Sequence, residues 1–304
     1  MLTDAVERYI QLRRVGGYKF DVPARLLRSF AKFSSDRNDA RVCAATAIAW
    51  AAQGSSLEAR HVRLQTVIGF ARHCRAEDPS HELPPSGVFG GRNYSRHPVA
   101  FIFSSAQIAL VLDAALKLRP RASLRPRTIH TLLGLLAATG LRAGEALRLR
   151  RADLTVDGLL IRETKFRKSR IVPIHATTRR ALKAYLALRT RIAGDGAHVF
   201  VGMDGERLSL AAANAALHEV LAAVGLATAR RGKSPRLHDL RHTWAVRALE
   251  SSPREVEKID RHMRAVTTYL GHVSVATGFW YLHSTPLLMK RIADACAANE
   301  ERAS

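Results

Sequence analysis

Residues 138–145, with the sequence ATGLRAGE, end one helix and begin the next within a single turn. Helical periodicity runs up to Gly140, and glycine commonly ends helices. Arg142 therefore lies on a fixed corner, where its planar guanidinium can bind two phosphate oxygens at once. Glu145, three residues on, can hold that side chain by a charge-assisted hydrogen bond. A solvated Arg–Glu pair in an ordinary helix turn explains the segment equally well.

The chain around this corner is long enough for two domains, since a single hydrophobic core rarely grows to 304 residues. Apolar residues recur at helical spacing from Thr3 to about Asp78, which predicts four helices. The stretch 79–98 gathers prolines and glycines among polar residues and is typical of a linker. We predict a helical N-terminal domain with its linker over residues 1–95 and a second domain over residues 96–304.

The second domain is predicted to be mainly α-helical with one small antiparallel β-sheet. Ser104 and Gln107 have the spacing of a capping box at the start of a helix. Between Leu154 and Ile174 β-forming residues alternate, with Asp157–Gly158 as a hairpin turn, which predicts three antiparallel strands. Downstream of the sheet the pattern is helical almost to the end.

The charge balance indicates a polyanionic partner. Lys and Arg number 48 against 26 Asp and Glu, a formal net charge of +22, and such a field concentrates nucleic acid around a protein. A GC-rich genome that favours arginine codons, or a basic solubilising surface, would give the same balance. Charge alone does not distinguish DNA from RNA.

Cysteines and apolar runs argue against several other classes of protein. The three cysteines are far apart and form no CxxC pair, so neither a disulfide framework nor a cysteine zinc site is expected. The first ten residues do not resemble a signal peptide, and the apolar run near Leu132–Leu141 is too short to span a bilayer. We expect a cytoplasmic protein with no membrane partner.

Residues 237–242, with the sequence LHDLRH, begin a predicted helix in which His238 and Arg241 lie on one face. Arg241 can neutralise a phosphate that gains charge in a pentacovalent transition state, and His238 can donate a hydrogen bond or move a proton. A solvated helix N-terminus is the plain alternative. A zinc site of His238 and His242 is another, although the glutamate of HExxH and an obvious third ligand are missing.

Two further segments carry candidate side chains. Tyr281 follows His272 by nine residues, within an aromatic run that would usually pack in a core or an interface. The segment 164–170, TKFRKSR, forms a predicted hairpin tip, which is usually a solvated basic turn but can also place a lysine in a DNA groove. The basic residues of interest at this tip are Lys165, Lys168 and Arg170.

Together, four segments resemble the tyrosine recombinase (phage integrase) family: ATGLRAGE, TKFRKSRIVPIH, HDLRH, and LGH with a tyrosine nine residues on. The resemblance covers about Phe101 to Tyr281, and the N-terminal helices resemble the family's core-binding domain, which clamps DNA. The pair Phe279–Trp280 and Leu282 depart from the family's usual residues, and Lys168 competes with Lys165 for one role. The catalytic residues implied by the resemblance are Arg142, Lys165, His238, Arg241, His272 and the nucleophile Tyr281.

The resemblance implies strand exchange through a 3′-phosphotyrosyl link, with Lys165 protonating the leaving 5′-oxygen. Neither ATP nor a metal is then required, which agrees with a sequence that contains no GxxxxGK[ST] loop and no obvious carboxylate cluster. We therefore predict no cofactor. The implied partners are double-stranded DNA with paired inverted half-sites and three further copies of the chain, which exchange strands through a Holliday junction. Whether a sister recombinase or an accessory protein also takes part is left open by the resemblance.

Two other functions stay open. A non-catalytic sequence-specific DNA-binding protein would account for the charge, the helices and the basic hairpin, and a type IB topoisomerase-like relaxase would share the chemistry. The N-terminal domain and linker look unlike compact Xer-type resolvases, which favours a recombinase of a mobile element. The amphipathic segment 286–298 is predicted to pack on its own domain or on a neighbouring protomer.

Overall fold

The computed structural model describes residues 2–90, 100–162, 169–229, 234–251 and 256–271, with the backbone alone at 256–260. The chain divides into two compact units, Met1–His97 and Pro98–Ser304. Over the described ranges the fold is mainly α-helical with one small antiparallel sheet, as the sequence predicts. None of the described helices is both long enough and apolar enough to cross a membrane.

The described part of the first unit contains the four predicted helices. Their apolar faces meet in one core, where Val6, Ile10 and Leu27 are fully buried and Trp50 packs edge-on against Phe30 at 5.5 Å. Burial of such side chains contributes about 1.5–3 kcal/mol each, which favours the assembled unit over separate helices. The helices are α1 Leu2–Val15, α2 Asp21–Ser35, α3 Ala44–Ala52 and α4 Leu57–Glu77.

A central helix, α6 (Arg125–Thr139), organises the second unit. Its residues Leu132, Leu133 and Leu136 are buried, and helices from before and after it in sequence pack against it. The predicted capping box begins the first helix of this unit, with Ser104 accepting from the Gln107 amide at 3.1 Å. The helices are α5 Ser105–Ala115, α6 Arg125–Thr139, α7 Ala143–Arg148, α8 Ala176–Ala193, α9 Leu210–Ala223, α10 Leu237–Glu250 and α11 Val256–Leu270.

The sheet of the second unit has two described strands, β1 Leu159–Ile161 and β2 Arg170–Val172, which pair antiparallel with Leu159 opposite Val172. The tip of this hairpin, residues 163–168, lies outside the described residues.

The predicted third strand is reduced to an isolated bridge between Leu154 and Leu159. A single 3-10 turn, Arg151–Asp153, directly precedes that bridge. The hydroxyl of Thr155 then accepts from the Gly158 amide at 3.2 Å, and the Thr155 amide donates to the Gly158 carbonyl at 2.9 Å. These local hydrogen bonds turn the chain before a strand can extend, so the prediction of three strands is wrong for the described residues.

Candidate active site

The structure describes three of the six residues predicted to be catalytic, namely Arg142, His238 and Arg241. It also describes Glu145 and Arg170, which were predicted to support catalysis and to contact DNA. The predicted residues that lie outside the described ranges are Lys165, Lys168, His272 and Tyr281.

The corner at Arg142 is shaped by a glycine that no other residue could easily replace. Helix α6 ends at Gly140, whose φ of 61° is left-handed and whose amide donates to the Leu136 carbonyl at 3.0 Å. A Cβ at this position would lie 2.8 Å from the indole of Trp244. Helix α7 begins immediately, with Arg142 as its N-cap in an extended conformation. The two helix ends therefore hold the backbone of Arg142 at a defined point.

Glu145 is a buried carboxylate that joins two arginines. Its side chain is 2% exposed. Oε1 accepts from Nη1 of Arg142 at 2.9 Å, and Oε2 accepts from Nη2 of Arg170 at 2.9 Å and from the Arg142 backbone amide at 3.1 Å. Burial alone would raise the pKa of Glu145, but the hydrogen bonds and charges of Arg170 and Arg142 outweigh it and lower that pKa. Glu145 is therefore charged at neutral pH and orients both guanidiniums.

The end of helix α11 is bound by three arginines from three different elements. The last carbonyls of a helix have no partner within it and carry the negative end of its dipole, so cationic donors suit them. The three pairs are Arg170 Nε with the Tyr269 carbonyl (3.1 Å), Arg241 Nη2 with the Leu270 carbonyl (2.8 Å) and Arg142 Nη2 with the Gly271 carbonyl (3.3 Å). The chain leaves this cluster toward His272.

Arg241 lies between two helix ends. Its side chain is 1% exposed, and besides the contact with α11 its Nη1 donates to the Gly140 carbonyl at 2.7 Å. The helix that carries it, α10, begins with Asp239 accepting from the Arg236 amide at 2.7 Å. Arg241 therefore ties the end of α6 to the end of α11 and places its positive charge beside the Arg142 corner.

His238 is on the face of α10 that carries Arg241, and its ring lies edge-on to that of His242 at 4.5 Å. Desolvation, followed by the positive charges of Arg241 and Arg236, lowers the pKa of His238 to about 4. His238 is also exposed to solvent on one side, and the positive charge of Arg142 adds to those of Arg241 and Arg236 in opposing its protonation. The imidazole is then neutral near pH 7, able to donate from one nitrogen and accept at the other. Among the described residues no group of three possible metal ligands is found.

Tyr269 is a described tyrosine beside these arginines that the sequence analysis did not single out. Its hydroxyl donates to the Pro173 carbonyl at 3.3 Å, and its ring stacks on Trp244 at 4.6 Å. Burial raises the pKa of Tyr269 to about 12. This tyrosine is therefore held as a packing element and is poorly suited to act as a nucleophile.

The described cluster offers cationic donors and a neutral imidazole at one place. Arg142 and Arg241 donate to consecutive carbonyls, so their guanidiniums lie close together, and His238 is one helical turn from Arg241. Arg142, whose side chain is 36% exposed, can bind a phosphate through its non-bridging oxygens. Arg241 is 1% exposed and bound to backbone carbonyls, and its positive charge can stabilise charge that develops on those oxygens. The sequence analysis missed the links of Arg170 to Glu145 and of all three arginines to α11, because both join segments that are distant in sequence.

Comparisons with known proteins identify the family of the chain. A sequence model of the phage integrase family matches residues 104–287. A Sinorhizobium fredii protein named as an integrase/recombinase, y4rB, is 37% identical over 296 residues, which cover 94% of this chain and 94% of that protein.

Solved structures show the same fold. The site-specific recombinase XerH, bound to a palindromic difH substrate in a post-cleavage complex, has a TM-score of 0.65 at 20% identity and covers 91% of this chain and 78% of its own. A lambda integrase tetramer bound to a Holliday junction has a TM-score of 0.60 at 17% identity and covers 89% of this chain and 77% of its own.

Proposed function

The chain belongs to the phage integrase family, whose tyrosine recombinases cleave and rejoin DNA, and from this membership we propose that it is a site-specific recombinase with Tyr281 as its nucleophile. The observation that carries the proposal is the cluster in which Arg142 and Arg241 meet at the end of α11. From that point the chain continues to His272 and Tyr281, and the family match spans all of these positions.

In the proposed reaction the Tyr281 oxygen attacks a backbone phosphorus and the bond from phosphorus to the 5′-oxygen breaks. The tyrosine proton passes to a base, for which His238 is suited because its neutral ring has an acceptor nitrogen. Lys165 gives a proton to the departing 5′-oxygen. Arg142 and Arg241 stabilise the charge on the non-bridging oxygens, with His272 as a further donor. The products are a 3′-phosphotyrosyl link and a free 5′-hydroxyl.

No energy source is needed for rejoining, because the phosphotyrosyl bond conserves the phosphodiester energy. A 5′-hydroxyl from a partner strand attacks the same phosphorus and releases Tyr281, which regains its proton. This exchange accounts for a reaction without nucleotide or divalent metal.

The proposed assembly is four copies of the chain on two duplexes, each duplex carrying a pair of inverted half-sites. The lambda integrase tetramer on a Holliday junction, whose fold this chain shares, supports that stoichiometry. We assign the helical unit before the linker, within residues 1–95, to clamping the duplex and residues 96–304 to catalysis. The net charge of +22 suits both contacts with DNA.

The test is a covalent trap. The binding site is selected from a pool of random duplexes, and the recovered duplex is synthesised with a nick beside the cleavage position, so that the short 5′-hydroxyl fragment diffuses away. Wild-type protein is expected to form an adduct that survives SDS, and Tyr281→Phe is expected to form none. Tyr269→Phe is the matched control. The Tyr269 hydroxyl donates to the Pro173 carbonyl and has no role in the proposed reaction, so this variant should still form the adduct.

Three results would overturn the proposal. An inactive wild type that binds the selected duplex tightly would favour a non-catalytic DNA-binding protein, and an adduct with Tyr281→Phe would move the nucleophile elsewhere. Relaxation of plasmids that lack the selected site would instead favour a relaxase.

We also propose that the recombinase serves a mobile element. The similarity to a protein named as an integrase/recombinase supports this context. The N-terminal helices support it less than the sequence suggested. The Xer-type recombinase XerH shares the fold over 91% of this chain, so these helices do not set the chain apart from Xer proteins. The test is to locate the selected site in the host genome: two copies that flank a discrete segment, which the protein excises as a closed circle, are the expected result. A single chromosomal copy, at which the protein only resolves dimers, would contradict the proposal.

A further inference from the structure

We propose that Arg170 is a positioning residue for DNA cleavage, holding Glu145 and the end of α11 so that Arg142 and the chain leaving Gly271 are correctly placed. The inference rests on the proposed function and assigns to Arg170 a role different from the DNA contact that its basic hairpin suggested.

The contacts of Arg170 point inward. Its side chain is 16% exposed, and all three of its nitrogens donate within the protein. Nη1 and Nη2 bind the two oxygens of Glu145 at 3.2 and 2.9 Å, and Nε binds the Tyr269 carbonyl at 3.1 Å. A bidentate pair of this kind fixes both planes, which a single contact would not do. Little of the guanidinium is left to reach a phosphate.

The glycine of the LGH segment is explained by the same side chain. Gly271 has a φ of 67°, and a Cβ there would lie 2.8 Å from Nη1 of Arg170. The backbone at Gly271 therefore approaches the guanidinium as closely as the absence of a side chain allows. Arg170 thus defines where the chain departs toward His272.

Loss of Arg170 would act on Arg142 through Glu145. The carboxylate would keep Arg142 as its remaining charged partner, and it could rotate to follow that side chain. The Tyr269 carbonyl would lose its donor at the same time. Since misplacement of a catalytic group by about 1 Å can cost on the order of 100-fold in rate, we expect cleavage to fall while DNA binding is kept.

The experiment measures single-turnover cleavage of the nicked duplex at saturating protein, together with the Kd and its salt dependence, for Arg170→Met and Arg170→Lys. We expect Arg170→Met to cleave about 10- to 100-fold more slowly than wild type, with an unchanged Kd and salt slope. Arg170→Lys should recover only part of the rate, because one ammonium cannot replace a bidentate fork.

Arg162→Met is the matched control. Arg162 also pairs with a buried carboxylate, Asp153, at 2.6 Å, but it does not contact Glu145 or α11. Its removal should leave the cleavage rate at saturation near that of wild type, and thermal unfolding of both variants reports what each change costs in stability. The double variant Glu145→Gln, Arg170→Met should cleave no more slowly than the slower of the two single variants. Each single change already breaks the same pair between Arg170 and Glu145, so the two losses should not add.

Three results would overturn the inference. A salt slope that falls by about one in Arg170→Met, with a normal rate at saturation, would make Arg170 a phosphate contact. Full activity in Arg170→Lys would mean that a positive charge at position 170 is sufficient and that the bidentate contact with Glu145 is not needed. Additive losses in the double variant would mean that Arg170 does not act through Glu145. A wild type that cleaves no duplex would refute the proposed function instead, so the two failures are distinguishable.

Discussion

Replacement of Gly140 by alanine should destabilise the second unit through two separate causes. The first is the backbone, since a φ of 61° is left-handed and costs a residue with a Cβ about 1–2 kcal/mol. The second is space. The new methyl group would lie 2.8–3.1 Å from three atoms of the Trp244 indole, and that ring cannot easily retreat. Its Nε1 donates to the Ala138 carbonyl at 3.1 Å, and its face stacks on Tyr269.

Overpacking of this kind costs about 1–3 kcal/mol, so the two causes together predict a loss of about 2–5 kcal/mol. In a unit of this size each kcal/mol lowers the Tm by about 2–4 °C. A decrease of about 4–20 °C is therefore expected for Gly140→Ala, measured by calorimetry on the full chain. Because the Gly140 carbonyl also binds Arg241, cleavage should fall by more than the loss of folded protein explains.

Gly225→Ala separates the two causes. Gly225 also has a left-handed φ of 72° after a helix, but no atom lies within 4 Å of the position a Cβ would occupy. This control should lose the backbone contribution alone, about 1–2 kcal/mol. In a Trp244→Leu background the cost of Gly140→Ala should fall toward that of Gly225→Ala. Equal costs for the two single variants would refute the argument that Trp244 occupies the space beside Gly140.

Two further predictions concern helix α10. The buried Thr243 hydroxyl accepts from the Phe103 amide at 3.0 Å, and Thr243→Val leaves that amide without an acceptor. The free energy of unfolding in urea should therefore fall by about 1–3 kcal/mol. A change below about 0.5 kcal/mol would contradict this. The pKa of His238 is about 4 in the folded protein, against an ordinary 6.5. Between pH 4 and pH 6.5 the unfolded chain therefore binds more protons than the folded one, so stability should fall as the pH drops through this range. His238→Asn should show a shallower loss of Tm over that range, and slopes equal to those of wild type would argue against a depressed pKa.

The helices that position the site could be predicted because their ends obey local rules. The glycine that ends α6, the capping box that begins α5 and the start of α10 each depend on residues within four positions of one another. The same holds for the contact of Arg142 with Glu145, which are three residues apart. The prediction of a third strand was wrong because a local hydrogen bond competes with strand pairing. At Thr155 the side-chain hydroxyl accepts from the Gly158 amide and turns the chain, where alternating residues suggested a strand.

The rest of the site depends on contacts that no local pattern encodes. The carbonyl that Arg142 binds is 129 residues away, and the Tyr269 carbonyl is 99 residues from Arg170. Arg170 lies in a basic run that resembles a solvated turn, and only the folded chain brings it to a buried carboxylate. Tyr269 was missed for the same reason, since its burial and stacking on Trp244 are made by another helix.

The buried carboxylate of Glu145 also sets the charge of the cluster. Three guanidiniums, those of Arg142, Arg170 and Arg241, and one carboxylate leave two net positive charges at this place. A backbone phosphate carries a single negative charge, and it gains another as the attacking oxygen adds to phosphorus. In the proposed reaction the cluster would therefore be neutralised by the pentacovalent arrangement and not by intact DNA, which would favour the transition state over the bound substrate. With Glu145 neutral, the same arginines would carry a charge in excess of either state.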